Sequence, residues 1–254
     1  MDALFLFFFL LFFQIEMYLD GLIDLLKHVK SGKVMGECNN KGQLVVRKDA
    51  NGQVVVNGVT HCVAKTAGDL EGLLDSGMRK RHVASTKMNS ESSRSHLIAT
   101  IMIEATDRKT KLTTTGKLTL VDLAGSESQK KTGATGNQLK EAKAINSSLS
   151  ALGAVISALT SGKDHIPYRN SKLTELLQDG LGGSAKCLMF VNASPADYNI
   201  TETAGSFEFA LRCKKIKNSK SGATVVTEEV RKLKEQLAAM EKQMGPSGET
   251  KLKS

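Results

Sequence analysis

Two short runs hold the residues whose types and spacing could do chemistry. The first, Leu118-Thr119-Leu120-Val121-Asp122-Leu123-Ala124-Gly125-Ser126-Glu127, reads as a buried apolar strand that ends in an acid and turns through a glycine. A carboxylate at the carboxyl end of a parallel strand can hold a water on Mg²⁺. A glycine three residues later lets a backbone N–H approach a terminal phosphate oxygen. Asp-x-x-Gly taken alone equally describes a core strand followed by an ordinary turn. The second run, Asn89-Ser90-Glu91-Ser92-Ser93-Arg94-Ser95-His96, gathers hydroxyls and one arginine ahead of a strand. Serine hydroxyls complete a Mg²⁺ shell or bond phosphate oxygens, and an arginine pairs with a carboxylate or with phosphate charge. A serine-rich loop is the bland alternative. The two runs precede and terminate consecutive strands, which brings Arg94 within reach of Glu127.

Composition bounds the partners. With 254 residues, 41% of them hydrophobic, the chain can bury a sizeable core as one large or two small domains. A formal net charge of +9 calls for an acidic partner: nucleic acid, an anionic membrane or an acidic protein surface. Nucleic acid has only that charge behind it, since the chain has three tyrosines, no tryptophan and no reader motif. Cys38, Cys62, Cys187 and Cys213 form no Cys-x-x-Cys pair, and the five histidines are scattered, so no metal is assigned to them. Residues 1–13 are a low-complexity apolar run, shorter than the roughly 20 residues a membrane crossing needs. It lacks the positive start of a secretory signal and is read as a misassigned start, or one that has lost its upstream sequence, whose last apolar residues lead into a strand.

The elements that must position the two runs follow from periodicity. Leu22, Ile23, Leu25 and Leu26 predict a short helix over 19–29. Asn51-Gly52 between two valine-rich stretches predicts a hairpin over 44–56. Residues 67–77 read as a helix, followed by the basic cluster Arg79-Lys80-Arg81-His82; 96–104 and 117–122 read as strands. Apolar residues at steps of three and four from Leu139 to Leu159 predict a long amphipathic helix ended by Gly162. A short helix over 172–178, a buried strand over 187–191, and a helix through Phe207 and Leu211 opened by a capping box at Asn199 and Glu202 complete the pattern. The alternation implies an α/β fold, a mixed central sheet with helices on both faces. Residues 229–244 carry two heptads of apolar residues.

The run Asn-x-x-Ser-Ser-Arg-Ser-His at 89–96, followed by Asp-Leu-Ala-Gly-Ser-Glu at 122–127, resembles the two nucleotide-sensing switches of the kinesin motor domain. Residues 139–159 look like the relay helix of that family. His165-Ile166-Pro167-Tyr168-Arg169-Asn170-Ser171-Lys172-Leu173-Thr174 looks like its microtubule-facing loop and helix, and 207–218 like its last motor helix. The resemblance covers 15–218 and implies an incomplete kinesin-type P-loop NTPase fold: 1–13 outside it, 14–218 a partial motor domain, 219–254 a basic linker, short amphipathic helix and tail. It implies a microtubule-stimulated ATPase, with ATP and Mg²⁺ as cofactors, in the cytoplasm on the microtubule cytoskeleton. By resemblance, Ser92 and Ser93 contact phosphate and Mg²⁺, Asp122 holds a Mg²⁺-bound water, and the Gly125 amide senses the γ-phosphate. Arg94 and Glu127 form the ion pair that closes the site. Lys130, Lys131, Lys140, Lys143, Asn146, Arg169 and Lys172 are the candidates for meeting acidic tubulin.

One departure matters. The family cradles the α- and β-phosphates with Gly-x-x-x-x-Gly-Lys-Ser/Thr, ahead of the segment matching 15–26. No such run occurs here: Gly32-Lys33, Gly116-Lys117 and Gly162-Lys163 are followed by valine, leucine and aspartate. The expectation is half a nucleotide site, with no tight ATP binding by this chain alone. Residues 15–26 and 81–89 look most like C-terminal-motor, minus-end-directed kinesins, and 226–234 like the region after the motor in kinesin-like calmodulin-binding proteins. A basic amphipathic helix at 228–244 suits calmodulin, although no Trp or Phe anchors it. A non-catalytic microtubule-binding module is the alternative reading.

Overall fold

The computed structural model describes residues 6–27, 44–50, 52–87, 94–107, 111–126, 137–183, 185–218 and 224–226. Eight strands are described: β1 (Leu6–Tyr18), β2 (Gly21–Asp24), β3 (Val45–Lys48), β4 (Val54–Asn57), β5 (Cys62–Ala64), β6 (His96–Asp107), β7 (Thr113–Asp122) and β8 (Thr224–Val226). The helices are α1 (Ala67–Lys87), α2 (Asn137–Thr160), α3 (Lys172–Leu176) and α4 (Ile200–Cys213). The main sheet runs β2-β1-β6-β7-β8, with β5 also on β1, and β3 and β4 form a separate hairpin.

The apolar run at the start becomes most of β1, which pairs with β6 from Leu6↔Asp107 to Met17↔His96. From Phe12 to Met17 every position of β1 is buried, as in a strand covered on both faces. Alternation then sorts the core. Phe13, Ile15 and Met17 of β1 and Ile98 of β6 pack against Leu152 and Ile156 of α2 and Leu173 of α3. Phe12, Ala99 and Ile101 face the other way, with Leu73 of α1 and Cys62 and Ala64 of β5. Helices therefore cover both faces, as the α/β reading requires.

Several local expectations are corrected. Every strand pairing among the described residues is antiparallel, so Asp122 ends an antiparallel strand rather than a parallel one. The helix expected over 19–29 is a tight β1–β2 hairpin, Tyr18↔Gly21, with Leu19 at φ 55°. Its leucines are satisfied by the sheet, and the Asp24 carboxylate accepts from the N–H groups of Leu26, Lys27 and Thr60, which fixes the chain in a turn. The helix from Ala67 does not stop at Gly77; it needs that glycine, because a Cβ there would lie 2.0 Å from Gln14 Oε1. Residues 187–191 form no strand, and Leu188 and Phe190 stand 78% and 80% exposed. Asn199 does not cap α4; its Nδ2 donates to Ser194 Oγ instead. The 44–56 hairpin, the 96–104 and 117–122 strands and the long helix with Gly162 at positive φ are present, and the helix at Lys172 is shorter, ending at Leu176. The heptads at 229–244 lie outside the described residues.

Candidate functional site

The pairing Leu97↔Asp122 places the start of β6 and the end of β7 at the same end of the sheet. Arg94 to His96 and Asp122 to Ser126 lie together there because β6 and β7 pair antiparallel. Three elements then fix what each side chain can reach.

From α1, the buried Arg81 guanidinium reaches under the site. Its Nη1 lies 2.7 Å from Asp122 Oδ2, its Nη2 donates to Ser95 O at 3.0 Å, and its Nε lies 3.9 Å from Glu16 Oε1. Glu16 is itself buried and accepts from Ser95 Oγ at 2.6 Å. Two carboxylates sharing one guanidinium keep a buried charge compensated, which is the condition for it to persist. Asp122 differs from Glu16 in facing water: its side chain is 65% exposed.

Next to Ser95, His96 is buried between the turn after β7 and α2. Its Nδ1 accepts from the Ala124 N–H at 3.0 Å and its Nε2 lies 2.8 Å from Ser148 Oγ. Burial, reinforced by the Arg81 charge and opposed by Asp122, lowers its pKa to about 4. Arg94 turns the other way, to Glu141 of α2, with Nη1 2.9 Å from Oε2. The second oxygen of Glu141 accepts a hydrogen bond from the Tyr18 hydroxyl. Burial first, and then that carboxylate, push the Tyr18 hydroxyl up to about 12. Arg94 pairs here with Glu141; Glu127, the partner expected for it, lies outside the described residues, as do Ser92, Ser93, Lys130 and Lys131.

The remaining candidates sit on α2 and beyond. Lys140 and Lys143 are exposed one turn apart on α2, and Asn146 follows at half-burial. Arg169 is exposed in the 3₁₀ turn Tyr168–Asn170, which packs with α3 against α2. Lys172 is tied down, its Nζ donating to Asp20 O at 2.6 Å.

Sequence reasoning missed Arg81, Glu16, Glu141 and the role of His96. A signal existed for Arg81: Leu74, Gly77 and Arg81 follow one another at helical spacing, which puts the arginine on the buried face rather than in a solvated basic cluster.

Among the described residues no three His, Cys, Asp or Glu side chains gather as a metal site. The donor set suits a divalent cation held through water by one open carboxylate beside an arginine, with phosphate supplying most of its negative charge. It fits the sensing part of a Mg²⁺–nucleotide site.

A family profile described as Kinesin motor domain matches residues 8–216, beginning inside the apolar run. Kinesin-like protein KIN-14E of Arabidopsis thaliana is 47% identical over 237 residues, 93% of this chain and 18% of that one. Kinesin-like protein KIN-14I of Oryza sativa subsp. japonica is 46% identical over 237 residues, again 93% and 18%. Kinesin heavy chain isoform 5A of Homo sapiens is 46% identical over 207 residues, 81% and 19%. A solved structure of a fast kinesin, described with implications for ATPase mechanism and interactions with microtubules, superposes with TM-score 0.76 at 38% identity, covering 98% of this chain and 65% of that one. The chain spans about a fifth of the length of these curated relatives.

Proposed function

Because the chain belongs to the kinesin motor domain family, we propose that it supplies the microtubule-binding face and the γ-phosphate-sensing part of a motor that couples ATP hydrolysis to movement along microtubules in the cytoplasm. The observation that carries this is the tie between the two: Arg94 and His96 hold Glu141 and Ser148 of the same helix that exposes Lys140 and Lys143. A change at the sheet end therefore reaches that helix through two side-chain contacts.

Bound MgATP supplies the phosphoryl group and the cation that neutralises its charge. Asp122, with Ser92 and Ser93, would hold that cation and phosphate, Arg81 keeping the Asp122 carboxylate aimed outward. The Gly125 amide would meet the terminal phosphate. Arg94 would leave Glu141 for Glu127 as the site closes. Residues 14–218 are the motor portion in this reading and 219–254 a linker and tail. The absence of a Gly-x-x-x-x-Gly-Lys-Ser/Thr run from the 254 residues favours a second reading, a microtubule-binding module without its own turnover. The calmodulin segment, 228–244, lies outside the described residues.

Co-sedimentation tests the common element of both readings. The chain should pellet with microtubules at low salt and be released as salt rises, because the attraction is between charged surfaces. Reversing Lys140, Lys143 and Arg169 to Glu should weaken binding by about tenfold or more. No pelleting at low salt, or equal displacement by DNA, would overturn the proposal.

A further inference from the structure

His96 is 2% exposed and both of its ring nitrogens are engaged. The Ala124 N–H can only donate, so Nδ1 is the bare acceptor and the ring proton sits on Nε2. Nε2–H then donates to Ser148 Oγ, and Ser148 passes its own hydroxyl proton to Ile145 O at 2.7 Å. The chain of donors and acceptors closes with no group left over, which fixes the ring's tautomer and orientation. It also spans the molecule's two working parts. Ala124 is the residue before Gly125, and Ser148 stands two residues after Asn146 on α2.

Neighbouring residues do not duplicate the link. Arg94 pairs with α2 through Glu141, and Ser95 reaches β1 and α1 through Glu16 and Arg81. His96 joins α2 to the backbone of the turn itself.

We propose that His96 is a positioning residue, a strut that sets the Leu123–Ala124 peptide, immediately before Gly125, against Ser148 of α2, so that movement of either end is transmitted as a tilt of one imidazole. The inference rests on the nucleotide-sensing role assigned to Gly125 above. A bare Nδ1 orients the Leu123–Ala124 peptide plane, and the Gly125 amide belongs to the following peptide, linked to it through the two backbone dihedrals of Ala124. When α2 shifts, Ser148 carries Nε2 with it, and the tilting ring moves the acceptor Nδ1 against the Ala124 N–H.

The test is amide hydrogen exchange and imidazole ¹⁵N NMR on the full 254-residue chain, without microtubules or nucleotide. His96→Asn keeps an acceptor near the Nδ1 position, whereas His96→Gln keeps only a donor near Nε2. Exchange at the Ala124 amide should rise about tenfold in His96→Gln and less than about threefold in His96→Asn, the loss of one buried hydrogen bond against its retention. The milder Ser148→Ala, which removes one hydroxyl, should shift the His96 Nε2–H resonance and raise Ala124 exchange a few-fold, although it lies on another element. Equal effects of the two His96 variants, silence at Ala124 in Ser148→Ala, or an Ala124 amide already exchanging at the unfolded-chain rate overturns the proposal. Co-sedimentation failing while these results hold would refute the motor reading and leave the strut standing.

Discussion

β6 and β7 are neighbours in one sheet and both are rich in β-branched and aliphatic residues, yet they live in different surroundings. From His96 to Ile101, β6 is buried at every position, between the apolar cluster under α1 and that under α2 and α3. No residue of β7 is fully buried: Leu118 is 51% and Leu120 50% exposed. Along β7, β8 pairs only with Thr113 to Thr115, and Leu118 to Asp122 find no strand on that side among the described residues. The apolar residues 187–190 are likewise exposed. The difference teaches that apolar content selects strand, whereas burial depends on what is available to cover it. It also divides the candidate site: on the β6 side Asp122, Arg94 and the Ala124 amide are held by Arg81, Glu141 and His96, and among the described residues the outer side of β7 past Thr115 is unpaired.

The sharpest way to break this contrast is Arg81→Ala. Removing the shared cation leaves Glu16 buried with its charge uncompensated, and the urea midpoint should fall by the equivalent of about 3–5 kcal/mol. A loss below about 1 kcal/mol would mean that the β6 side is not organised around that pair.

Paired truncations compare the two strands directly. Ile98→Ala should cost about 2–4 kcal/mol and Leu120→Ala less than about 1, since only the first leaves a cavity in a packed layer. Equal losses in the same denaturant series would show β7 to be covered in solution.

Acid sharpens the comparison further. His96 titrates near pH 4 when folded against an ordinary 6.5, chiefly because it is buried. Between those values the unfolded chain binds a proton that the folded chain refuses. The His96 contribution is therefore complete above the ordinary value and is lost as pH falls towards the folded one. Between pH 7 and pH 5 this amounts to about 1–2 kcal/mol. The same pH series on His96→Asn should be flatter by that amount, and an unchanged slope would contradict the buried neutral imidazole.

Much of this was legible in the residues. The long helix, the Asn-Gly hairpin and the two site strands follow from periodicity and turn chemistry, and the described ends of the two runs, Arg94 to His96 and Asp122 to Ser126, lie at one sheet end. What was not legible depended on tertiary partners. Residues 19–29 satisfy a helical pattern locally, but a hairpin edge on β1 satisfies the same leucines with a turn at Leu19. Arg81 was masked by its basic neighbours, although its helical spacing from Gly77 marks the inner face. The choice of Glu141 by Arg94 has no sequence signal, because it depends on how α2 lies across the sheet. Segment 187–191 has a strand's composition and lacks a strand's neighbour.

The central claim is that this chain holds the sensing part of a nucleotide site without the run of residues that would cradle the α- and β-phosphates. Calorimetric titration of the 254-residue chain with MgATP tests it most directly. The account predicts no binding in the micromolar range; a micromolar dissociation constant abolished by Asp122→Ala would contradict it.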